Sequence, residues 1–119
     1  MIQEAYCSFE VALLLKEKGF NEVVHAYHNI YDKVNLDFRV SVDAPHLQIP
    51  CPTHQMAMVW LRETYGIDII IEISDPSVKD RKYYCNIWDG NNNSHILDLF
   101  NSYEEAVEAA LKYCLEDLI

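Results

Sequence analysis

Positive charge is scarce in this chain. Nine lysines and arginines stand against nineteen aspartates and glutamates in 119 residues, a formal net charge of −10. That balance repels phosphate backbones and anionic membranes at long range. It disfavours direct nucleic-acid binding and favours a basic partner. The excess is uneven, because residues 98–119 hold six acids and one base. Long apolar runs are also missing. The runs Val11 to Leu15 and Ile69 to Ile71, like the six residues Met56 to Leu61, fall far short of the about 20 residues that cross a bilayer, so no membrane partner is expected. The opening Met-Ile-Gln-Glu has no basic segment leading into a cleavable apolar one. No secretory signal is read there, and a cytoplasmic location is the expectation.

Cysteines are few and spaced for neither a scaffold nor a metal motif. Cys7, Cys51, Cys85 and Cys114 lie 44, 34 and 29 residues apart, unlike a disulfide framework or a paired zinc motif. In a reducing compartment they read as free, buried thiols. No linker, no repeat and no low-complexity tract beyond Asn91-Asn92-Asn93 interrupts the chain. Residues 1–119 therefore read as a single globular domain. Half the residues are hydrophobic and eight are tyrosine, which excludes disorder.

The periodicities predict an α+β chain. Cys7 or Ser8 caps a first helix that Gly19 stops, and Phe20 folds back onto the core. Glu22 to Tyr31 fits a strand or a helix, with a strand preferred. Leu36 to Val42 alternates as a half-buried strand, so the two segments suggest a hairpin. Asp43-Ala44-Pro45 breaks the pattern. A second helix follows Pro52-Thr53, with Met56, Ala57, Val59, Trp60, Leu61 and Thr64 as its stripe, and Gly66 ends it. Ile67 to Ile73 reads as a central strand covered in part on both sides, because Ile70 breaks the alternation. Tyr83 to Trp88, the turn at Asp89-Gly90 and a short edge strand at Ser94 to Phe100 come next. Ser102 and Glu105 match a capping box for a closing helix, with Tyr103, Val107, Ala110, Leu111, Cys114, Leu115 and Leu118 on its apolar side. The expected order is α-β-β-α-β-β-(β)-α, three helices on an antiparallel sheet of four or five strands.

Three segments carry a resemblance: Cys7-Ser8-Phe9-Glu10-Val11-Ala12, Pro52 through Glu63 (Pro-Thr-His-Gln-Met-Ala-Met-Val-Trp-Leu-Arg-Glu), and Tyr103 through Lys112 (Tyr-Glu-Glu-Ala-Val-Glu-Ala-Ala-Leu-Lys). They resemble a group of small uncharacterised proteins of gut Bacteroides-type bacteria and their integrated phages. The likeness spans most of the chain. It implies a cytoplasmic bacterial or prophage setting and carries over no catalytic residue.

Candidate chemistry rests on a few pairs. His25 with His28, Cys51 with His54, and Cys85 with His95 have ligand types in proximity, but zinc wants four such donors. His25 and His28 would point to opposite faces of a strand. Cys51 at a helix start has the placement of a lowered-pKa thiol with His54 as base, and Asp43, Gln48 or Gln55 as orienting groups. Asp75, Asp80 and Asp89 lie near strand ends, and Asp89-Gly90-Asn91-Asn92-Asn93 lacks the acid an EF-hand requires. Lys79, Arg81 and Lys82 beside Tyr83, Tyr84 and Trp88 form the sole basic cluster, diluted by Asp80. Met58, Arg62, Tyr65 and Tyr84 form a candidate interaction surface, with Trp60 assigned to the core. The residues by themselves assign no catalytic group, metal or cofactor. The preferred reading is a non-enzymatic accessory or interaction protein with a protein partner or a second copy of itself, as a homodimer. The alternatives are a small enzyme or metal-binding module using Cys51 and His54, and an acidic mimic of nucleic acid.

Overall fold

A computed structural model describes residues 4–29, 48–74, 79 and 81–119, except the side chains of His28, Asn29 and Gln48. The order is α1 (Phe9–Glu17), β1 (Tyr27–Asn29), β2 (Gln48–Pro50), α2 (His54–Tyr65), β3 (Asp68–Ile73), β4 (Tyr83–Trp88), β5 (Ser94–Phe100) and α3 (Tyr103–Tyr113), which runs into a π-helical turn (Cys114–Leu118). The fold is α+β with antiparallel pairing throughout. The chain divides into two compact units, Met1–Ala57 and Met58–Ile119, with the division inside α2.

In the first unit, α1 starts where the Ser8 hydroxyl accepts the Val11 N–H at 3.2 Å. One face of the helix buries Val11, Ala12 and Leu15. The helix ends as the sequence predicts. Gly19 takes φ +96°, where an L side chain is disfavoured. The Phe20 N–H reaches the Leu15 carbonyl at 2.9 Å and the Gly19 N–H reaches Lys16 at 3.1 Å, the two bonds of a Schellman motif. Phe20 is buried beyond it.

The expected strand over Glu22–Tyr31 shortens to Tyr27–Asn29 among the described residues. Val24 and Ala26 are buried, while Val23 and His25 face solvent. That stretch alternates without a ladder, which explains the β-like signal. The partner of β1 is β2, with His28 opposite Ile49. Pro50 is tolerated in this ladder because it stands at the end of β2, opposite Tyr27. The expected hairpin strand at 36–42 lies outside the described residues.

In the second unit, β3, β4 and β5 form a sheet in that order. The five described strands thus fall into two sheets rather than one. α3 covers the face carrying Ile69, Ile71, Cys85, Ile87 and Leu97, and Cys85 and Ile87 are fully buried. Burying Leu111 and Leu115 of the closing helix contributes roughly 1.5–3 kcal/mol each. β3 is an end strand among the described residues, not a central one, and Ile70 on its other face is 43% exposed. The Ser102 hydroxyl accepts the Glu105 N–H at 3.1 Å, and the Glu105 carboxylate accepts the Asn101 N–H at 3.2 Å. This is the predicted capping box, with the reciprocal bond moved one residue back. Tyr103, expected on the apolar side, is exposed. It sits in the first turn and meets the Tyr83 ring edge-on, at 6.1 Å between centroids. Cys114 faces inward as expected.

Candidate functional site

The first site forms where two helices begin. The segment Ala5–Cys7 lies antiparallel to Cys51–His54, with a bridge between Tyr6 and Thr53. The Cys7 N–H donates to the Pro52 carbonyl at 3.0 Å, and the His54 N–H donates to Ala5 at 2.9 Å. Thr53 caps α2: its hydroxyl accepts the Met56 N–H at 3.2 Å. Cys7 precedes the cap of α1, and its thiol donates to the carbonyl of the α2 cap, Thr53, at 3.9 Å. Unpaired N–H groups at helix starts favour negative charge nearby, including a thiolate.

This geometry pairs His54 with Cys7. A His54 ring nitrogen and the Cys7 Sγ lie within 4.8 Å of each other. Both are buried, at 7% and 2% exposure. Cys51 is fully buried and its thiol donates to the Cys7 carbonyl at 3.3 Å. The Cys51 N–H is held by Ala26 at 2.9 Å. Cys51 therefore anchors the loop that carries Cys7.

A second constellation occupies residues 58–119. The turn at Asp89-Gly90 closes with the Asp89 N–H donating to the Asn93 carbonyl at 2.9 Å, and Asn92 takes a left-handed φ of 65°. Asp89 Oδ1 accepts the N–H groups of Asn91 and Asn93, at 2.8 and 3.1 Å. Its Oδ2 lies 2.9 Å from His95 Nε2. The bond from His95, then those from Asn93 and Asn91, holds the Asp89 carboxyl below its ordinary pKa. The motif with a calcium-loop look is thus a turn whose carboxylate is spent on the backbone and on His95. The other ring nitrogen, Nδ1, lies 3.0 Å from the Tyr113 hydroxyl of α3. Asp89, His95 and Tyr113 form one hydrogen-bonded chain across three elements.

The remaining candidates disperse. Cys85 and His95 do not combine as ligands. The Cys85 thiol donates to the carbonyls of Leu97 and Ala106, at 3.7 and 3.6 Å. Burial pushes Cys85 up to about 11 and Cys114 up to about 12, so both remain thiols near neutrality. His25 is exposed, while the His28 side chain lies outside the described residues, as do Asp43, Asp75 and Asp80. The Gln48 side chain is likewise undescribed, and Gln55 is exposed. In the basic cluster, Lys82 Nζ donates to the side-chain oxygen of Asn101.

On the expected interaction surface, Arg62 and Tyr65 are exposed and Met58 is half-buried. The Tyr65 ring meets Trp60 edge-on at 5.5 Å, and Trp60 is half-buried rather than core. Tyr84 donates its hydroxyl to Glu72, which raises the pKa of the phenol. It lies on the sheet face opposite α3, with the exposed Ile70, Trp88 and Ile96. Among the described residues, no helix is long and apolar enough to cross a membrane.

Cys51 lies three residues from His54 in the chain, whereas Cys7 meets that imidazole from 47 residues away, a separation no local spacing signals. Nothing in the sequence marks Asp89, His95 and Tyr113 as a group. In comparisons with protein-family models, curated proteins and solved structures, the chain matches none.

Proposed function

We propose that the chain is a small metal-binding module in which Cys7 and His54 ligate a borderline-soft divalent ion such as zinc. The carrying observation is the buried thiol–imidazole pair with donor atoms within 4.8 Å. Thiolate and imidazole are the donors such an ion selects. The burial also argues for an ion over an organic substrate: at 2% and 7% exposure, neither group presents a surface to a larger molecule. Two donors leave a tetrahedral ion two further positions. All four cysteines are free and buried, which suits a reducing compartment such as a cytoplasm.

Cobalt titration of the fully reduced protein tests this reading. Stoichiometric uptake with a thiolate-to-cobalt charge-transfer band is expected, abolished in Cys7→Ser and in His54→Ala. Cys51→Ser should keep the band, because Cys51 positions the loop and does not ligate. Wild-type protein that takes up no cobalt or zinc under reduction would refute the proposal.

A second reading rests on the open sheet face. Ile70, Trp88 and Ile96 are 43%, 40% and 61% exposed there, with Asp68 and Glu72 on the same face. Such a face fits a protein partner that brings apolar side chains rimmed by lysine or arginine. Its carboxylates oppose the same face of a second copy. Native mass spectrometry should therefore find a monomer, and a dimer broken by Ile96→Lys would put a second copy in the partner's place.

A further inference from the structure

Tyr113, the last member of the Asp89–His95–Tyr113 chain, is also one of the residues lining a cleft. The cleft lies open between β5 and the last turns of α3, with a volume of ≈ 420 Å³. That size falls within the range of small-molecule sites, roughly 300–1,000 Å³. The hydrogen-bond chain dictates what Tyr113 can offer a ligand. An ionised carboxylate only accepts hydrogen bonds, and Asp89 is held ionised by its three donors. The His95 proton therefore sits on Nε2. In the neutral ring Nδ1 is then an acceptor, and it takes the Tyr113 O–H at 3.0 Å. With its proton committed, the Tyr113 oxygen has only lone pairs left to present.

The rest of the lining points the same way. Asp98, Glu116 and Asp117 contribute carboxylates, against the single cation Lys112. Leu97, Phe100 and Ala109 add apolar surface. A fitting ligand supplies hydrogen-bond donors, positive charge and an apolar body.

We propose that this cleft binds a small amphipathic ammonium compound, with Tyr113 as a neutral acceptor for the ammonium group and the surrounding carboxylates as its counter-charge. The proposal is independent of the metal reading, since it uses none of the same residues.

The test is an amide ¹H–¹⁵N NMR titration of the whole protein with 2-phenylethylammonium, and with phenylacetate as the anionic counterpart. Saturable shifts confined to residues around Leu97, Ala109 and Tyr113 are expected with the ammonium and not with the carboxylate. Tyr113→Phe keeps the ring and removes the acceptor, so affinity should fall about tenfold, the worth of one hydrogen bond to a charged group. Glu116→Gln with Asp117→Asn changes only exposed side chains and should also weaken binding. Absent or unsaturable shifts, equal shifts with phenylacetate, or unchanged affinity in Tyr113→Phe would each overturn the proposal. So would a lysine peptide that saturates the cleft when phenylethylammonium does not.

Discussion

Raising the pH should destabilise this protein through two buried thiols. Cys85 and Cys114 are both fully buried. Desolvation is the main cause that lifts them from the ordinary 9.0 to about 11 and about 12, and proximity to Cys85 raises Cys114 further. Their folded-state values are raised, and the protonated form is the neutral one. Between about pH 9 and 11 the unfolded chain therefore releases protons that the folded chain retains. The stability linked to each thiol is full below about pH 9 and is lost as pH rises toward its folded value. One such group gives a slope of at most about 1.4 kcal/mol per pH unit, and because each state is half titrated at one end of the interval, Cys85 alone accounts for a loss of about 2 kcal/mol between pH 9 and 11. Tyrosines and lysines titrate in the same range, so the informative quantity is a difference between variants. Urea unfolding under reductant, repeated from about pH 8 to 11, should show a stability curve for Cys85→Ala flatter than wild type by about 1 kcal/mol per unit above pH 9. The variant starts lower at pH 8 because it leaves a small void, but only the slope matters. Parallel curves for wild type, Cys85→Ala and Cys114→Ala would refute the assignment of both thiols to a desolvated interior.

Three smaller perturbations test the local structure. Ser102→Ala removes the cap that accepts the Glu105 N–H and should cost about 1 kcal/mol by urea unfolding. Gly66→Ala forces an L side chain onto a φ of +69° at the end of α2 and should cost about 1–2 kcal/mol in the same assay. Asp89 has a lowered pKa, so its contribution is present above the ordinary carboxylate range and lost as pH falls through its folded value. Asp89→Asn should therefore flatten the acid limb of a thermal-unfolding profile, measured between about pH 5 and 2.

Local signals in the chain were legible where one element contained the whole cause. The caps at Ser8, Thr53 and Ser102 need only an oxygen and an N–H up to three residues later. The stops at Gly19 and Gly66 need only a residue free to take positive φ. Ile70 misled because its neighbours fit either side of a sheet, and strand order decides how much of each side is covered. Tyr103 misled for a related reason: it has the periodicity of the buried stripe, but the stripe begins to meet the sheet only at Ala106 and Val107. Glu22 to Ala26 alternates in burial like a strand, yet the paired strand β1 starts only at Tyr27.

By itself, the sequence determined the helices and their ends, the strands of the second half, the inward Cys114 and the acidic balance, because these follow from spacing within a few residues and from composition. The tertiary structure alone decided which chemical groups meet. His54 meets Cys7, 47 residues away in the chain, because two helix starts are bridged by a short antiparallel contact. His95 is aimed by a turn carboxylate six residues back and takes its second partner from α3, eighteen residues onward. Hydrogen bonds and metal ligation act over a few ångströms in space, and no periodicity along a chain encodes a contact that depends on how two separate elements pack.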